Sequence, residues 1–538
     1  MAKSPEMAKS PAMAKAAMAK AAMDGVELEI LWSNLIGVVT ERAKALQRIA
    51  FSPIVREAGD LACALFDRRG RMVAQANTGT PGHINSLAFA GAHLVRIFEG
   101  RCEPGDVLIT NDPWLSAGHF FDITILTPIF DGQNLIAYIG STIHHTDIGG
   151  YGIGAGARDV HEEGLWIPPL KLYERGKPSE MLHDIIRRNV RTPDAVFGDL
   201  SAQVSSGEAA ADHLIALCRR YGLDDIEALS DEIINRSEDA TRNAIRKLKA
   251  GTYHGETSFD VPGGEIITLK TAVTVDTDKG AIIVDFEGSS PQTTTGINVV
   301  LNYTHAYSTF AIRSCLNPDL PNNTGSLAPI EIRAPEGSII NCAYPAPVNA
   351  RHVVGMYVPM PILKALHQVM PERVLAEGSG AVWTMQIQGR RPSGEAFTSS
   401  MFNYSGGMGA RATKTGPSAT CYPTGVAAVP IEILEAAMPI VFDRKELRRG
   451  SGGKGRMQGG DGQIIQFHMR TDHAWLLNAV PSRLEKGPDG IDGGLSGAPG
   501  RFLVNGKSVS EAKKLTMQAG DIVLLETPGG GGYGKPTA

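Results

Sequence analysis

The sequence predicts a multi-domain α+β protein, in which an N-terminal mixed α/β region precedes β-rich regions. Apolar residues recur at helical spacing over residues 26–49 and through much of 178–250, whereas polar and apolar residues alternate from about residue 251, as in half-buried strands. A chain of 538 residues is also too long for a single hydrophobic core. We therefore predict three regions, an α+β region, a β-rich middle domain and a glycine-rich β region, at residues 24–250, 251–379 and 380–538.

The first elements follow a low-complexity N-terminus. Residues 1–23 repeat a Met-Ala-Lys unit and lack the apolar segment of a signal peptide, so we predict a disordered tail. A core-facing helix is expected over 26–49, followed by the hairpin "LACALFD", "RRG", "RMVAQA". Another helix is expected over 82–99.

A second hairpin has a stronger signal. The apolar runs "FDITILTPIF" and "NLIAYIGSTIHH" are joined by Asp131-Gly132, a pair that suits a tight turn with positive φ. Beyond the helical residues 178–250, the alternating pattern predicts strands, with one helical stretch near 356–370. The last region is predicted to contain short strands and long glycine-rich turns.

Composition excludes several classes of function. A net charge of -5 and a pI near 6.3 argue against nucleic acid as the main partner, because no basic surplus exists to neutralise phosphates. The six cysteines contain no CxxC pair, which excludes a disulfide framework and a thiolate zinc site and fits a reducing compartment. No apolar run approaches the length of a membrane span. We expect a cytoplasmic protein.

The end of the sequence contains part of a nucleotide-binding motif. Gly529 to Lys535 match the G-x-x-x-x-G-K part of a phosphate-binding loop. Pro536 stands where a hydroxyl is required, and too few residues follow for a helix to direct amide groups at phosphate. Near Lys507 the hydroxyl is present, but Arg501 replaces the first glycine. We interpret both stretches as glycine-rich turns and predict that this chain does not bind ATP in that way.

Histidines and aspartates are concentrated at the ends of the second hairpin. His119 and Asp122 precede and begin one strand, and His144 and His145 end its partner. Adjacent strand residues face opposite sides, so at most one histidine of the pair joins a given site. Imidazole and carboxylate together suit Zn²⁺ or Mn²⁺ more than Ca²⁺ or Mg²⁺. The alternative is that these are polar loop residues at strand ends.

Several blocks carry a family resemblance. "NDPWLSAGHFFDITILTPIF" followed by "HHTDIGG" resembles the hydantoinase B / oxoprolinase family, and "TPGHINSL", "PNNTGSLAPIEIRAPEGSIIN" and "TPGGGGYGKP" stand in family order. The resemblance implies one subunit of an ATP-dependent enzyme that opens cyclic amides such as hydantoins, 5-oxoproline or lactams. A hydantoinase A-like partner would bind ATP, in a heterotetramer or larger assembly. Relatives include acetone and acetophenone carboxylases, so carboxylation of a ketone with bicarbonate is the alternative.

The resemblance also implies a set of site residues. The family's metal ligands correspond to Asp60, His119, Asp122 and His144, and His145 joins these four as a candidate catalytic residue. The sequence departs from the family's usual aromatic residue and Gly-Gly pair beside the first histidine, where it has Trp114 and Ser116-Ala117-Gly118.

A general base is less well defined. His145, Asp147 and Glu162 are candidates, although Glu162 and Glu163 are better explained as a solvated turn. Arg351 and His352 in "VNARHVVGM" can meet an anionic group or form an interface pair.

A third interpretation makes the chain a scaffold without chemistry that positions an ATPase partner. The retained ligand set argues against it.

Overall fold

The computed structural model describes residues 25–510 and 514–536, so the predicted tail over 1–23 lies outside the described residues. The described part of the chain confirms the α+β class and contains four β-sheets. Its strands, in chain order, are β1 Leu61–Phe66, β2 Met72–Gln75, β3 Val107–Thr110, β4 Asp122–Asp131, β5 Asn134–His144, β6 Leu170–Glu174, β7 Lys177–Pro178, β8 Gly251–Asp260, β9 Ile266–Asp276, β10 Ala281–Asp285, β11 Ile330–Arg333, β12 Val382–Arg390, β13 Ala396–Ser405, β14 Ile440–Arg448, β15 Gly462–Met469, β16 Trp475–Ala479, β17 Arg501–Val504, β18 Lys507–Ser508, β19 Leu515–Met517 and β20 Ile522–Glu526.

Helices lie between and around the sheets. The α-helices of the described residues are Gly25–Ile49, Pro53–Arg56, Pro81–Ile97, Glu180–Asn189, Pro193–Tyr221, Glu227–Ile245, Leu301–Leu316, Thr324–Leu327, His352–Gly355, Pro359–His367 and Ile431–Ala437. None of the helices within residues 25–510 and 514–536 combines the length and apolar character needed to cross a bilayer. The cytoplasmic location stays a prediction.

The first two sheets follow one another along the chain, whereas the strands of the last two alternate in sequence. The first has the order β2-β1-β5-β4-β3-β6-β7, and the second has the order β11-β10-β9-β8. The remaining two sheets, β13-β12-β16-β19 and β14-β15-β20-β17-β18, lie beyond residue 380. One apolar core nevertheless runs from Ile54 to Val480. The region boundaries at 250 and 379 therefore stay predictions.

Both predicted hairpins are confirmed. β1 pairs antiparallel with β2, and β4 pairs antiparallel with β5. Gly132 has a φ of 63°, the left-handed conformation that the turn between β4 and β5 requires. The helix predicted over 26–49 is also present, and its apolar face buries Leu28, Leu31 and Leu35.

One long helix was not predicted. Leu301–Leu316 lies within the region expected to be β-rich, and most of its residues are buried, including Tyr303, Thr304 and Arg313. A helix buried on most sides has no polar face, so its sequence lacks the amphipathic period that identifies surface helices.

The glycines near residue 530 form an extended segment and not the turn that was predicted. Backbone N–H groups three residues apart donate to the same neighbouring stretch in two cases: Gly529 and Gly532 donate to Ala498 and Leu495, and Gly530 and Tyr533 donate to Gly460 and Met457, at 2.9–3.1 Å. The third pair, Gly531 and Gly534, donates to two different stretches, at Glu377 and Ile491. A period of three matches a polyproline-II-like helix. An added Cβ at Gly530 would lie 2.1 Å from the Met408 carbonyl oxygen, so only glycine fits there.

A buried carboxylate joins the middle and last regions. Glu377 lies 2.7 Å from both Lys364 Nζ and Arg483 Nη2. It also accepts hydrogen bonds from Thr257 Oγ1 at 2.8 Å and the Asp489 N–H at 3.0 Å. Its side chain is 1% exposed. The carboxylate therefore satisfies groups on β8, a helix and a C-terminal loop at once.

Candidate metal centre

Three neighbouring strands bring the first site residues into one row. Leu61 of β1 pairs with Ile143 of β5, so Asp60 lies opposite His144, and the Asp60 carbonyl accepts the His144 N–H at 3.2 Å. On the other side of β5, Asp122 pairs directly with His144. Residues aligned across a sheet project from the same face. The order β1-β5-β4 therefore places Asp60, His144 and Asp122 side by side.

His119 enters the site from the turn before β4. Its Nε2 lies 2.9 Å from Asp122 Oδ1, and its Nδ1 lies 2.9 Å from the Asn349 carbonyl oxygen. Because a carbonyl only accepts, Nδ1 must carry the proton and Nε2 must present a lone pair. The preceding Gly118 has a φ of 90°, and an added Cβ there would lie 2.8 Å from Arg351 Cδ. Glycine thus lets the turn and Arg351 approach each other.

Asp122 is the centre of the cluster and is fully buried. Its Oδ1 faces His119 Nε2 and His144 Nδ1, the latter at 3.0 Å. Its Oδ2 accepts from His83 Nε2 at 2.8 Å and forms an ion pair with Arg351 Nη2. The two oxygens therefore have different tasks, since Oδ2 is neutralised by donors while Oδ1 faces the predicted ligands.

Burial and neighbouring charges shift the pKa values of the site residues. Burial by itself raises the pKa of the Asp122 carboxyl, but its imidazole and guanidinium neighbours outweigh burial and hold that pKa well below the usual range. Burial and the positive charge of Arg351 lower the pKa of His119 to about 3. A neutral His119 at physiological pH is the form that binds metal ions.

The donor set fits a divalent ion. His119, Asp122 and His144 offer ligand atoms that all lie within 4.8 Å of one another. Two ligands about 2.1 Å from an ion are roughly 3.4 Å apart at a tetrahedral angle and roughly 3.0 Å apart at a right angle, and the 2.9 and 3.0 Å separations around Asp122 Oδ1 are closer to the second value. His119 Nε2 has no hydrogen-bond partner, so two lone pairs face each other unless a cation lies between them. Asp60 is more distant, with Oδ2 4.0 Å from His144 Nδ1.

A small cavity opens beside the row. Its walls combine the site residues with Tyr303 and Tyr307 of the buried helix and with Thr384 and Thr424 from beyond residue 380. About 40 Å³ is available to the centres of water molecules, whereas one water needs roughly 10–15 Å³. The cavity is therefore large enough for an ion with a few waters or for a small reacting group.

Two residues of the cavity wall were only partly anticipated. Arg351 is a sequence-based candidate for meeting an anionic group, and the anionic group that it meets is Asp122. His83 was not singled out, although it lies in the quoted block "TPGHINSL". Its distance from the other site residues along the chain matches no ligand spacing, and only the position of Thr80-Pro81 as a helix start marks the stretch.

Other candidate residues lie elsewhere. His145 is turned to the opposite face of β5, where Nε2 lies 3.3 Å from Gln203 Oε1, because adjacent strand residues alternate. The catalytic role expected of His145 therefore has no contact with the cavity to support it. Asp147 pairs with Arg191 at 2.8 Å, and Glu162 pairs with the exposed Arg158. All three general-base candidates thus have other partners.

Glu163 does not lie in the solvated turn that was predicted. It is fully buried, and its Oε1 accepts the N–H groups of Val348 and Asn349 at 2.8 and 2.7 Å. Burial raises the pKa of Glu163 to about 8. Glu163 thus holds the backbone whose Asn349 carbonyl orients His119, a link that no spacing in the sequence reveals.

Comparisons with known proteins agree with one another. A family model described as hydantoinase B/oxoprolinase matches residues 24–536. The chain is 32% identical over 543 residues to a protein of a Pseudomonas species that is named as a putative component of a D-/L-hydantoinase, covering 96% of this chain and 90% of that protein.

Two solved structures share the fold. The crystal structure of an ATP-dependent caprolactamase from Pseudomonas jessenii superposes with a TM-score of 0.86 and 26% identity, covering 95% of this chain and 91% of that one. A nucleotide-free acetone carboxylase structure also gives a TM-score of 0.86, with 20% identity, covering 95% of this chain and 75% of that one. At that identity the second likeness concerns the fold alone.

Proposed function

The chain belongs to the hydantoinase B/oxoprolinase family of ATP-dependent enzymes, and from this premise we propose that it is the metal-binding subunit of a cyclic-amide hydrolase. Its substrate class would be a hydantoin, 5-oxoproline or lactam ring. The observation that carries the proposal is the row of Asp60, His144 and Asp122 with the lone pair of His119 turned toward it.

The metal would be Zn²⁺ or Mn²⁺, held by Asp60, His119, Asp122 and His144. Such an ion supplies Lewis acidity toward a carbonyl oxygen and lowers the pKa of a bound water. With the histidines counted as neutral, two carboxylates and the Arg351 guanidinium leave the residues with one negative charge, so a divalent ion would leave the site with one positive charge. A positive site stabilises the negative charge that develops on the carbonyl oxygen during attack on an amide.

The chain's own residues would orient and enclose the reacting group. His119 is fixed by Asn349, and Arg351 fixes Asp122, so the ligands need little rearrangement when the ring binds. The cavity walls limit the amount of water around the site. The buried Tyr303 and Tyr307 form one wall against which the carbon atoms of the ring can pack.

ATP would be bound by a hydantoinase A-like partner, in a heterotetramer or larger assembly. The Pseudomonas relative, which is named as one component of a hydantoinase, supports a partner. The backbone N–H groups of residues 529–534, which match part of a phosphate loop, all donate to other backbone carbonyls. They have no free hydrogen-bonding capacity for phosphate, which supports placing the nucleotide outside this segment.

Two measurements test the proposal. Elemental analysis of the wild-type chain and of Asp60→Ala is expected to find about one Zn or Mn per wild-type chain and less in the variant. Asp147→Asn is a matched control, because it removes a buried carboxylate charge that pairs with Arg191 outside the cavity. Its metal content is expected to equal that of wild type.

The chain is then combined with its ATP-binding partner and assayed with lactam, hydantoin, 5-oxoproline, acetone and acetophenone in ¹³C-bicarbonate. Ring opening that consumes ATP and leaves the product unlabelled supports a hydrolase. Stable label in the product would instead establish a carboxylase. ATP hydrolysis that depends on the cyclic amide but proceeds without the partner would refute the two-subunit arrangement.

A further inference from the structure

His83 lies between the two carboxylates of the candidate metal centre. Its Nε2 is 2.8 Å from Asp122 Oδ2, and its Nδ1 is 3.4 Å from Asp60 Oδ1. The Asp122 contact is a hydrogen bond, whereas Nδ1 lies beside Asp60 without a hydrogen-bond partner. We propose that His83 is a positioning residue that orients Asp122 through this hydrogen bond, packs beside Asp60, and so sets the spacing of the carboxylate ligands without binding the metal itself.

The two oxygens of Asp122 have different contacts, and this difference supports a role for His83 other than metal ligand. His83 and Arg351 both contact Oδ2, whereas His119 and His144 face Oδ1. Engaging Oδ2 with donors leaves Oδ1 as the oxygen directed at the ion, and so favours a single bond from this carboxylate. Groups that hydrogen-bond a ligand in this way commonly change metal affinity by about 10- to 100-fold when removed.

Asp60 is the less enclosed of the two carboxylate ligands. Its side chain is 15% exposed, whereas that of Asp122 is inaccessible, and its nearest oxygen is 4.0 Å from His144 Nδ1. β5 lies between the strand that follows Asp60 and the strand that begins with Asp122. His144 Nδ1 also faces both carboxylates, but it lies 4.0 Å from Asp60, whereas the His83 ring comes within 3.4 Å of Asp60 and 2.8 Å of Asp122.

The backbone around His83 is built to hold the ring still. Thr80 caps the helix Pro81–Ile97 by accepting the His83 N–H with its side chain. An added Cβ at Gly82 would lie 2.7 Å from Tyr303 Cε2, so this first turn packs directly on the buried helix. The His83 side chain is 5% exposed. A turn that is held by packing in this way fixes the position of the His83 ring relative to the carboxylate ligands.

This inference rests on the proposed metal-binding function, so its test measures metal binding and not turnover. The full-length chain is prepared as wild type, His83→Gln, His83→Ala and His305→Gln. His305 is the matched control, because it packs edge-on against Phe89 of the same helix at 4.6 Å and does not line the cavity. Mn²⁺ affinity is measured by competition with a fluorescent chelator, and bound nitrogen ligands are counted by pulsed EPR.

We expect His83→Ala to bind Mn²⁺ about 10- to 100-fold more weakly than wild type. His83→Gln is expected to recover part of the loss, since its amide can still donate to Asp122. Both variants should keep the same two histidine nitrogens on Mn²⁺ as wild type, and His305→Gln should bind as wild type does.

Three results would overturn the inference. Equal affinity in wild type and both His83 variants would refute the positioning role while leaving the metal site in place. Loss of one nitrogen signal in His83→Gln would make His83 a ligand. Absence of Mn²⁺, Co²⁺ and Zn²⁺ binding by wild type would refute the metal site itself, and with it the role of His83.

Discussion

Replacing Glu377 with glutamine should destabilise the junction between the middle and last regions in a strongly pH-dependent way. The substitution keeps the shape of the side chain but removes the charge that faces Lys364 and Arg483, each 2.7 Å away. Arg483 is fully buried, so the variant leaves a buried guanidinium without its carboxylate. Removal of one partner from a buried pair typically costs about 3–5 kcal/mol.

The size of the effect follows from the pKa of Glu377. Burial alone would raise this pKa, but Arg483 and Lys364 outweigh burial and lower it from 4.5 to about 2. That difference corresponds to about 3 kcal/mol of folding free energy. Because the folded-state pKa is the lower one, the stabilisation is complete above pH 4.5 and is lost as the pH falls toward 2.

Hydrogen exchange in increasing urea measures the opening free energy of the peptides around Glu377 and Arg483. Glu377→Gln is expected to lower it by about 3 kcal/mol at pH 7, and the difference from wild type should shrink at pH 3.5. Glu446→Gln, which removes an exposed carboxylate paired with Arg444, should change little at either pH. Equal opening free energies at pH 7, or a difference that persists unchanged at pH 3.5, would refute the reasoning.

Two further predictions concern the site and the glycine segment. His144→Ala should lose the bound metal and His145→Ala should keep it, because only His144 faces Asp122. Elemental analysis of both variants measures this, and the reverse result would make His145 the ligand. Gly530→Ala should lower the thermal unfolding temperature of the last region, since overpacking costs about 1–3 kcal/mol or more. Gly37→Ala should not lower it, because its added Cβ meets nothing within 4 Å. Equal unfolding temperatures of the two variants would contradict the close packing.

The hairpin and the residues at its ends could be predicted because their signals are local. Asp131-Gly132 identifies the turn, and strand alternation explains why only one of His144 and His145 faces Asp122. The row that includes Asp60 additionally required the pairing of β1 with β5. The family resemblance supplied Asp60, and its metal-binding role stays a prediction.

The other features of the fold and site could not be predicted, because they arise from burial and from contacts between segments that are distant in the sequence. Arg351 and Asp122 are 229 residues apart in the chain, and no periodic pattern connects them. Glu163 was misassigned because a charged pair in a loop usually lies in water, whereas the N–H groups of Val348 and Asn349 compensate this one in the interior. The helix Leu301–Leu316 was missed because burial on most sides removes its amphipathic signal.

The close packing around residues 529–534 also constrains how this stretch can vary among related proteins. An alanine at Gly529, Gly530 or Gly531 would bring its methyl group within about 2 Å of a backbone oxygen, and backbone cannot move aside as a flexible side chain can. Selection for stability alone is then enough to keep the glycines. A pattern search that assigns these glycines to a nucleotide-binding motif would therefore be wrong, because close backbone packing already explains them. The same holds for any homologue with this backbone arrangement.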